Sequence, residues 1–398
     1  MQCYASCMNA HEPPPLKTLH IYLPDLSGGG AERLHVNLAP FFMAAGFKVT
    51  FVLSQNRGEL RDHVPKQCDI IALDVKRQLA ALPKLIMHLR KEKPDFFISN
   101  MEHMNVIAVL AKKLSGLKTQ ITTQVIACQH IPVSYQIKHR TNWQYKILPW
   151  LYRQTLPHAD AVIAVSNGVA RDLSDVARID ISAIDVVYNG VVGSDASTRM
   201  AQTPPHPWFL EQAAKKIPII IAVGRLVALK DYNTLLRAFA RLLKHTSARL
   251  MILGEGVERA NLEQLIKELG IQNDVAMIGF VPDPLPFMHA CQLLVCASKF
   301  EGFGNVLAEA LACGTPVIAT DCPFGPREIL NDGAYGTLVP VGDDVTMAFE
   351  MQKALAKPHD SAILSARGAF FSIERCAQGY IAVMNKRTQT KTEQSKAT

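Results

Sequence analysis

The sequence predicts two consecutive open α/β domains, each built on a parallel sheet with helices on both faces. Short runs rich in Val and Ile alternate with amphipathic runs of ten or more residues, the pattern of doubly buried strands and their crossover helices. One interruption, rich in Gly, Ser, Thr and Pro, divides the alternation at residues 193–214 and reads as a linker. At 398 residues the chain also exceeds one typical core, so two domains of about 150–200 residues are the expected division.

The first alternation occupies residues 16–192. KTLHIYLPDL reads as a buried strand, and SGGGAERLHVNLAPFFMAAG as a Gly-rich turn opening an apolar-striped helix that ends at Gly46. KVTFVLS and CDIIALD are strands, LPKLIMHLRKEK a helix, PDFFISN a strand, NVIAVLAKKLSG a helix and TQVIACQH a strand. ADAVIAVS and AIDVVYN are two further apolar runs. The second alternation, residues 215–370, starts with IPIIIAVGRL and continues through a helix over YNTLLRAFARLLKH, the strand RLMILGEG, a helix over RANLEQLIKELG and the strand VAMIGFV. LLVCAS, TPVIATD and GTLVP complete it, with a helix over VLAEALACG between the first two. In such folds ligands sit at the carboxyl ends of strands, here the cleft between the domains. Residues 1–15 read as a Pro-rich disordered lead-in and residues 389–398 as a polar, frayed tail.

Composition narrows the class further. Hydrophobic residues make up 48% and charged residues 19%, as expected of a well-packed enzyme. Between residues 16 and 190, 21 Lys and Arg stand against 14 Asp and Glu, which accounts for the whole net charge of +7. A basic first half suits an anionic surface or substrate, or is a solvated face with scattered lysines. Nine cysteines form no CxxC pair and sit mostly in apolar runs such as CQLLVC, where they read as reduced thiols. No apolar run approaches the roughly 18 residues that span a bilayer, and MQCYASCMNAHEPPP lacks a signal pattern. A cytoplasmic location is the expectation.

Three stretches could carry chemistry. SGGGAER follows a strand and opens a helix, so Gly28, Gly29 and Gly30 would let a ligand approach the backbone, and the helix amino-terminus would favour a phosphate or carboxylate. The same run also reads as a mere tight turn, and it lacks the GxGxxG spacing of a dinucleotide site. In VGRLVALKDY, Arg225 leaves the end of an apolar strand and Lys230 follows five residues later. Two cations there could neutralise a diphosphate, Arg bidentately and Lys as a point charge. In KFEGFGNVLAEALACG, Glu301 lies in a turn and Glu309 two helical turns on, with the amides of Gly302 to Val306 crowding a helix amino-terminus. A diphosphate flanked by two sugars would suit this pattern, each carboxylate accepting sugar hydroxyls. The plainer reading has Glu309 favouring the helix dipole and Glu301 in solvent.

Glu301 and Glu309 match the E-x7-E motif of glycosyltransferase family 4, which the chain resembles over roughly residues 16–388. VGRLVALKDYNTLLRAF resembles the family's phosphate-binding stretch, GGGAER its glycine loop, VIACQH its strand ending in histidine and VVYNGV its stretch before the linker. FSIERCAQGYIAVM resembles the helix, about residues 371–388, that returns to the first domain, and DCPFGPREIL is similar to members that build bacterial surface polysaccharides. The resemblance implies the GT-B fold, two Rossmann-like domains facing a central cleft, and retaining transfer of a hexosyl or N-acetylhexosaminyl group from a nucleotide sugar. It implies that Arg225 and Lys230 bind the donor pyrophosphate with amides near Phe303, Gly304 and Asn305. Glu309 would hold the ribose and Glu301 the transferred sugar, with His130 at the reacting centre and Gly29 and Gly30 near phosphate and acceptor. Backbone around Gly279 and Val281 would hold the base. His103, at another strand end, is a rival to His130.

No DxD motif stands near the cleft strands, so no metal and no other cofactor is expected, and departing charge would fall on Arg225, Lys230 and helix amides. The implied partners are a nucleotide-sugar donor, preferably a UDP-sugar, and a glycan or lipid-linked acceptor such as a lipopolysaccharide precursor, not nucleic acid. The segment 133–156 mixes Tyr135, Trp143, Tyr145, Trp150 and Tyr152 with Lys138, Arg140, Lys146 and Arg153, with Trp143, Ile147, Trp150 and Leu151 on one helical face. It could lie peripherally on an anionic inner membrane surface or pack on the first domain. A non-hydrolysing nucleotide-sugar epimerase and a non-catalytic nucleotide-sugar-binding protein are the alternatives to a transferase.

Overall fold

The computed structural model describes residues 16–76, 78–117, 122–139, 143–209, 211 and 217–397. The expected lead-in at 1–15 and Arg140 lie outside these, as do side chains from residue 389 on. Seven strands, β1 (Lys17–Leu23), β2 (Phe47–Leu53), β3 (Asp69–Ala72), β4 (Phe96–Asn100), β5 (Gln124–Gln129), β6 (Ala161–Ala164) and β7 (Ile184–Val186), form one sheet in the order β3-β2-β1-β4-β5-β6-β7. Six more, β8 (Ile219–Val223), β9 (Arg249–Leu253), β10 (Val275–Gly279), β11 (Leu293–Cys296), β12 (Val317–Thr320) and β13 (Thr337–Val339), form a second in the order β10-β9-β8-β11-β12-β13. Neighbours pair in parallel throughout both sheets. Leu19, Ile21, Tyr22 and Leu23 in β1, and Ile219, Ile220 and Ile221 in β8, are fully buried, as continuous apolar strands covered on both faces must be.

Each sheet reverses its strand order once, between β1 and β4 in the first and between β8 and β11 in the second. Connections on either side of such a point leave for opposite faces, which opens a crevice at the carboxyl ends of the two strands. The loops after β1, β8 and β11 are PDLSGG, GRLVALK and ASKFEGFG, so the topology gathers all three candidate stretches at these crevices.

Helices fill the connections of the first sheet: α1 (Gly30–Ala44), α2 (Ala81–Glu92), α3 (Glu102–Ser115), α4 (Val133–His139), α5 (Trp143–Thr155) and α6 (Asn167–Ala177), with the short α7 (Ala196–Met200) inside the linker. The second sheet carries α8 (Tyr232–Leu242), α9 (Arg259–Glu268), α10 (Leu285–Ala290), α11 (Asn305–Ala312), α12 (Gly325–Ile329), α13 (Asp344–Ala356) and α14 (Ser361–Ala369). The last helix, α15 (Ile373–Ala397), returns to the first sheet. Its Ile373, Cys376, Ala377, Tyr380, Val383 and Met384 join the core formed by β1, β2 and α1. The Tyr380 ring meets Phe42 and His35 edge-on at 6.1 and 5.8 Å. Aromatic pairs of this kind add about 0.5–1.5 kcal/mol beyond the area they bury.

Two expectations need correction. The polar tail is not frayed, because α15 runs on to Ala397: KRTQTKTEQSKA contains neither Gly nor Pro to stop it. In the 133–156 segment, Leu151 does not share the outward face of Trp143 and Trp150. It packs inward against the core beside Leu148 and Tyr152, while the two Trp residues are 64% and 61% exposed.

Candidate active site

Glu301 sits in the turn between β11 and α11. Its Oε1 accepts from Lys230 Nζ at 2.5 Å and from Ser298 Oγ at 2.7 Å. Burial opposes charge on Lys230, but the Glu301 carboxylate outweighs it and holds the ammonium pKa above its ordinary value. The two cations that look equivalent in GRLVALK are therefore different. Lys230 is locked into a mostly buried ion pair, whereas the Arg225 side chain is exposed and hydrogen-bonds to no other described residue. Arg225 is left to reach a ligand.

The helix behind Glu301 begins at Asn305, and its cap residue Gly304 takes φ +100°, a backbone state only glycine holds cheaply. No side chain caps α11, and among its first amides Leu307 N donates to the Gly304 carbonyl at 2.9 Å, while those of Asn305 and Val306 remain for a ligand at the crevice. Phe303 contributes backbone alone, since its ring is buried against Tyr188 and Phe371. The Asn305 side chain is also committed: its Oδ1 accepts from Asn189 of the first domain at 3.0 Å. The Glu309 side chain, on the first turns of α11, hydrogen-bonds to no other described residue. Burial pushes its carboxyl up to about 7, Arg33 and Arg199 pull it back, and Asp283 adds to the rise. Arg199 is held by Asp283 through a two-pronged pair at 2.8 and 2.6 Å, and Arg33 reaches the Pro282 carbonyl at 3.4 Å. Gly279 and Val281 stand at the end of β10 just before this group; the Gly279 carbonyl accepts from Gly254 N at 2.7 Å.

The first domain brings His130 to the same place. The His130 carbonyl is so near the Glu301 turn that a Cβ on Gly302 would lie 2.3 Å from it, which is why glycine follows the glutamate. The His130 ring shares a 2.9 Å hydrogen bond between Nε2 and Asn100 Oδ1, and burial, with His35 beside it, lowers its pKa to about 3. It is a neutral imidazole. His103 packs its ring on Tyr145 at 4.9 Å instead, so of the two histidines His130 borders the Glu301 turn.

The glycine loop carries a carboxylate of its own. Its helix amino-terminus is already served: the Glu32 carboxylate folds back so far that a Cβ on Gly29 would lie 2.2 Å from Glu32 Oε2. Gly30 faces Asn305 across the cleft, where a Cβ would lie 3.9 Å from Nδ2. A phosphate on this loop would meet a carboxylate.

Contacts across the cleft hold the two halves together. Ser166 Oγ donates to the Gly302 carbonyl at 3.1 Å, and the Glu328 carboxylate accepts from the amides of Asn167 and Gly168 at 2.8 and 2.6 Å, at the start of α6. Tyr188 donates to the same carboxylate at 3.1 Å. Tyr135 of α4 stacks on Phe300, next to Glu301, with ring centroids 3.7 Å apart. Sequence reasoning missed Glu32, Arg33, Arg199, Asp283 and Glu328. Three of these lie inside GGGAER and PREIL, where the glycines and the run as a whole drew notice rather than the charges.

Residues 28–192 match the family model for Glycosyltransferase Family 4, and residues 209–369 that for Glycosyl transferases group 1. The chain is 31% identical, over 83% of its length and 88% of that protein's, to N-acetylgalactosamine-N,N'-diacetylbacillosaminyl-diphospho-undecaprenol 4-alpha-N-acetylgalactosaminyltransferase of Campylobacter jejuni. The chain belongs to glycosyltransferase family 4. This family 4 enzyme is also 28% identical to the lipopolysaccharide core biosynthesis glycosyltransferase LpsE of Rhizobium meliloti, over 89% of the chain and 96% of that protein. The family 4 chain has the GT-B fold. It superposes on the apo form of the lipopolysaccharide outer core galactosyltransferase WaaB with a TM-score of 0.73 at 20% identity, covering 94% of this chain and all of that one. HepE of Anabaena in complex with UDP gives 0.71 at 21% identity, covering 95% and 100%. Among the described residues of this glycosyltransferase, no helix is long and apolar enough to cross a membrane.

Proposed function

We propose that the enzyme transfers a sugar from a UDP-sugar to a lipid-linked glycan acceptor, with retention of the anomeric configuration and without a metal ion. The observation that carries this reading is the division of labour at α11. A free Arg225 and uncapped helix amides form an anion cradle, flanked by Glu301 on one side and an uncommitted Glu309 on the other. In the transferred step the bond from the anomeric carbon to the β-phosphate oxygen breaks with its electron pair on UDP. The acceptor oxygen bonds to the same face of that carbon, and its proton goes to the departing phosphate. Arg225, Lys230 and the α11 amides take the developing charge, which preorganised donors in a dry cleft do at little reorganisation cost. Glu301 accepts hydroxyls of the moving sugar and Glu309 those of the ribose.

The relatives support the substrate class: the Campylobacter protein is named for a diphospho-undecaprenol acceptor, and HepE was solved with UDP and with UDP-glucose. A thermal-shift and hydrolysis screen with UDP-, GDP- and ADP-sugars, with and without EDTA, tests the donor. Stabilisation by UDP-sugars that survives EDTA is expected, and preference for another base or loss with EDTA overturns it. The anomeric proton coupling of the product tests retention.

The acceptor side fits a bilayer surface on the cytoplasmic face. Trp143, Ile147 and Trp150 lie exposed at helical spacing on α5, with Lys138 and Lys146 exposed beside them. Flotation with liposomes of phosphatidylcholine alone or with phosphatidylglycerol decides this. Capture by the anionic liposomes that is weakened in the W143S/W150S variant is expected; no flotation with either overturns it.

A further inference from the structure

The glycine loop carries the wrong charge for the role its sequence suggests. Asp25 precedes it, Glu32 lies under Gly29, and Glu59 stands so close that a Cβ on Gly28 would be 2.7 Å from its Oε1. Asp25 is answered by Arg57 at 3.0 Å and by the Ser27 amide at 3.0 Å. Glu32 is not. It is 5% exposed, and its Oε2 is buried with no hydrogen-bond partner among the described residues. Burial raises its carboxyl pKa above the ordinary value, its own backbone amide and the charge of Arg225, across the cleft, pull it back, and the Asp25 charge adds to the rise. Leaving a buried carboxylate oxygen unpaired costs more than the group gains by staying, so it calls for a donor from a ligand.

A phosphate there would be repelled by up to three carboxylates. A hydroxyl would not: it donates to a carboxylate and carries no charge of its own. Gly29 lacks the side chain that would otherwise fill the space against Oε2. Opposite lie Arg225 and Asn305, where the donor diphosphate belongs, so a group on the glycine loop sits on the acceptor side of the transferred sugar.

We propose that Glu32 binds the acceptor, its carboxylate taking a hydrogen bond from the hydroxyl that attacks, or from its neighbour on the same sugar ring, and so aiming that oxygen at the anomeric carbon. This rests on the transferase reading above. Glu32 stays ionised through the step, because the proton still leaves with the phosphate. In the absence of an acceptor, water takes the same place, and slow hydrolysis of the donor reports the same contact.

The test uses UDP-N-acetylgalactosamine, UDP-N-acetylglucosamine, UDP-galactose and UDP-glucose with the full chain. In Glu32→Gln, hydrolysis of whichever donor the wild type cleaves should fall about tenfold to hundredfold, the worth of one hydrogen bond to a charged group. The donor KM and the Kd for UDP should stay unchanged. Gly29→Ala keeps the carboxylate but displaces it, and should show the same loss of kcat with the same donor KM; bound UDP certifies that either variant is folded. Unaltered hydrolysis in both variants overturns the role of Glu32. A UDP affinity that falls along with kcat also overturns it, because Glu32 would then serve the donor through Arg225. A wild type that neither binds UDP nor cleaves any of the four donors overturns the donor reading itself, and this inference with it.

Discussion

The two walls of the cleft handle charge in opposite ways. On the second-domain wall, opposite charges answer each other at short range: Lys230 with Glu301, Arg199 with Asp283, Lys299 with Asp231 at 3.4 Å. On the first-domain wall, three buried groups beside the cleft avoid charge or keep an oxygen without a partner. His35 and His130 are neutral imidazoles with rings 6.0 Å apart, and Glu32 has an unanswered oxygen. A wall that must receive a doubly charged diphosphate needs fixed cations whose own charge is stabilised beforehand. A wall that must receive a neutral hydroxyl needs acceptors and no excess cation. The contrast supports the proposal that the second-domain wall takes the donor and the first-domain wall the acceptor.

The largest expected effect tests whether the two cations of the donor wall really differ. Lys230→Ala strips the partner from a mostly buried carboxylate, so it should lower the unfolding free energy by about 3–5 kcal/mol and turnover by about 10²–10³. Arg225→Ala should cost a similar factor in turnover and leave the unfolding midpoint nearly unmoved, because the guanidinium is exposed and has no described partner. Chemical denaturation read beside donor hydrolysis separates the two, and equal losses of stability would erase the distinction.

Acid should destabilise the first domain before the second. His35 and His20 are buried, and burial holds each near pKa 4 instead of 6.5; His88 lies against His20 with ring nitrogens 2.8 Å apart. A lowered folded pKa means that the unfolded chain binds more protons between those values. The contribution of each is therefore complete above pH 6.5 and lost as pH falls towards 4, about 2 kcal/mol for each by pH 5. His35→Gln should flatten the fall of the unfolding midpoint between pH 7 and 5. A wild-type midpoint that does not move across this range would show that the imidazoles are charged in the fold.

Glu309 moves in the same pH range but on the other wall, and its signature is in binding. With its carboxyl raised to about 7, the free enzyme holds it partly protonated at neutral pH. Only the carboxylate accepts two ribose hydroxyls, so UDP affinity should rise with pH to a plateau above 7 and fall about tenfold per unit below it. Titration calorimetry with UDP from pH 5.5 to 8.5 checks this, and Glu309→Gln should abolish the slope. A Kd independent of pH would remove Glu309 from the ribose.

The donor wall was far more legible in the sequence than the acceptor wall, for a physical reason. Its residues lie within single loops that a strand and a helix fix at both ends. Glu301 and Glu309 therefore keep their relation to the α11 amides wherever the rest of the chain goes. Both sheets were legible for a similar reason, since strand and helix periods are local. What stayed hidden is set by contacts between distant segments. Arg199 reaches Glu309 from the linker, Glu328 caps a helix of the other domain, and Lys230 turns inward to Glu301 while Arg225 does not. Glu32 was in plain view beside the glycines, but its lack of a partner is a property of the folded surroundings.

The smallest expected effect concerns a place where the walls meet ring on ring. Tyr135 stacks on Phe300 at 3.7 Å and 19° on one side and on His139 at 4.3 Å on the other, while Phe300 meets Phe324 edge-on at 5.4 Å. Phe300 is bonded directly to Glu301, so this stack sets the position of the carboxylate from the opposite domain, and α4, which carries Tyr135, leads into the exposed Trp face of α5. Tyr135→Ala should remove about 1 kcal/mol of cross-cleft attraction. It should raise the donor KM several-fold with little change in the Kd for UDP alone, because the nucleotide is held by groups within the second domain while the sugar depends on Glu301. Tyr135→Phe keeps the ring and should behave as wild type. If the phenylalanine variant is as impaired as the alanine one, the hydroxyl rather than the stack joins the two walls, and the acceptor wall would position Glu301 by hydrogen bonding instead.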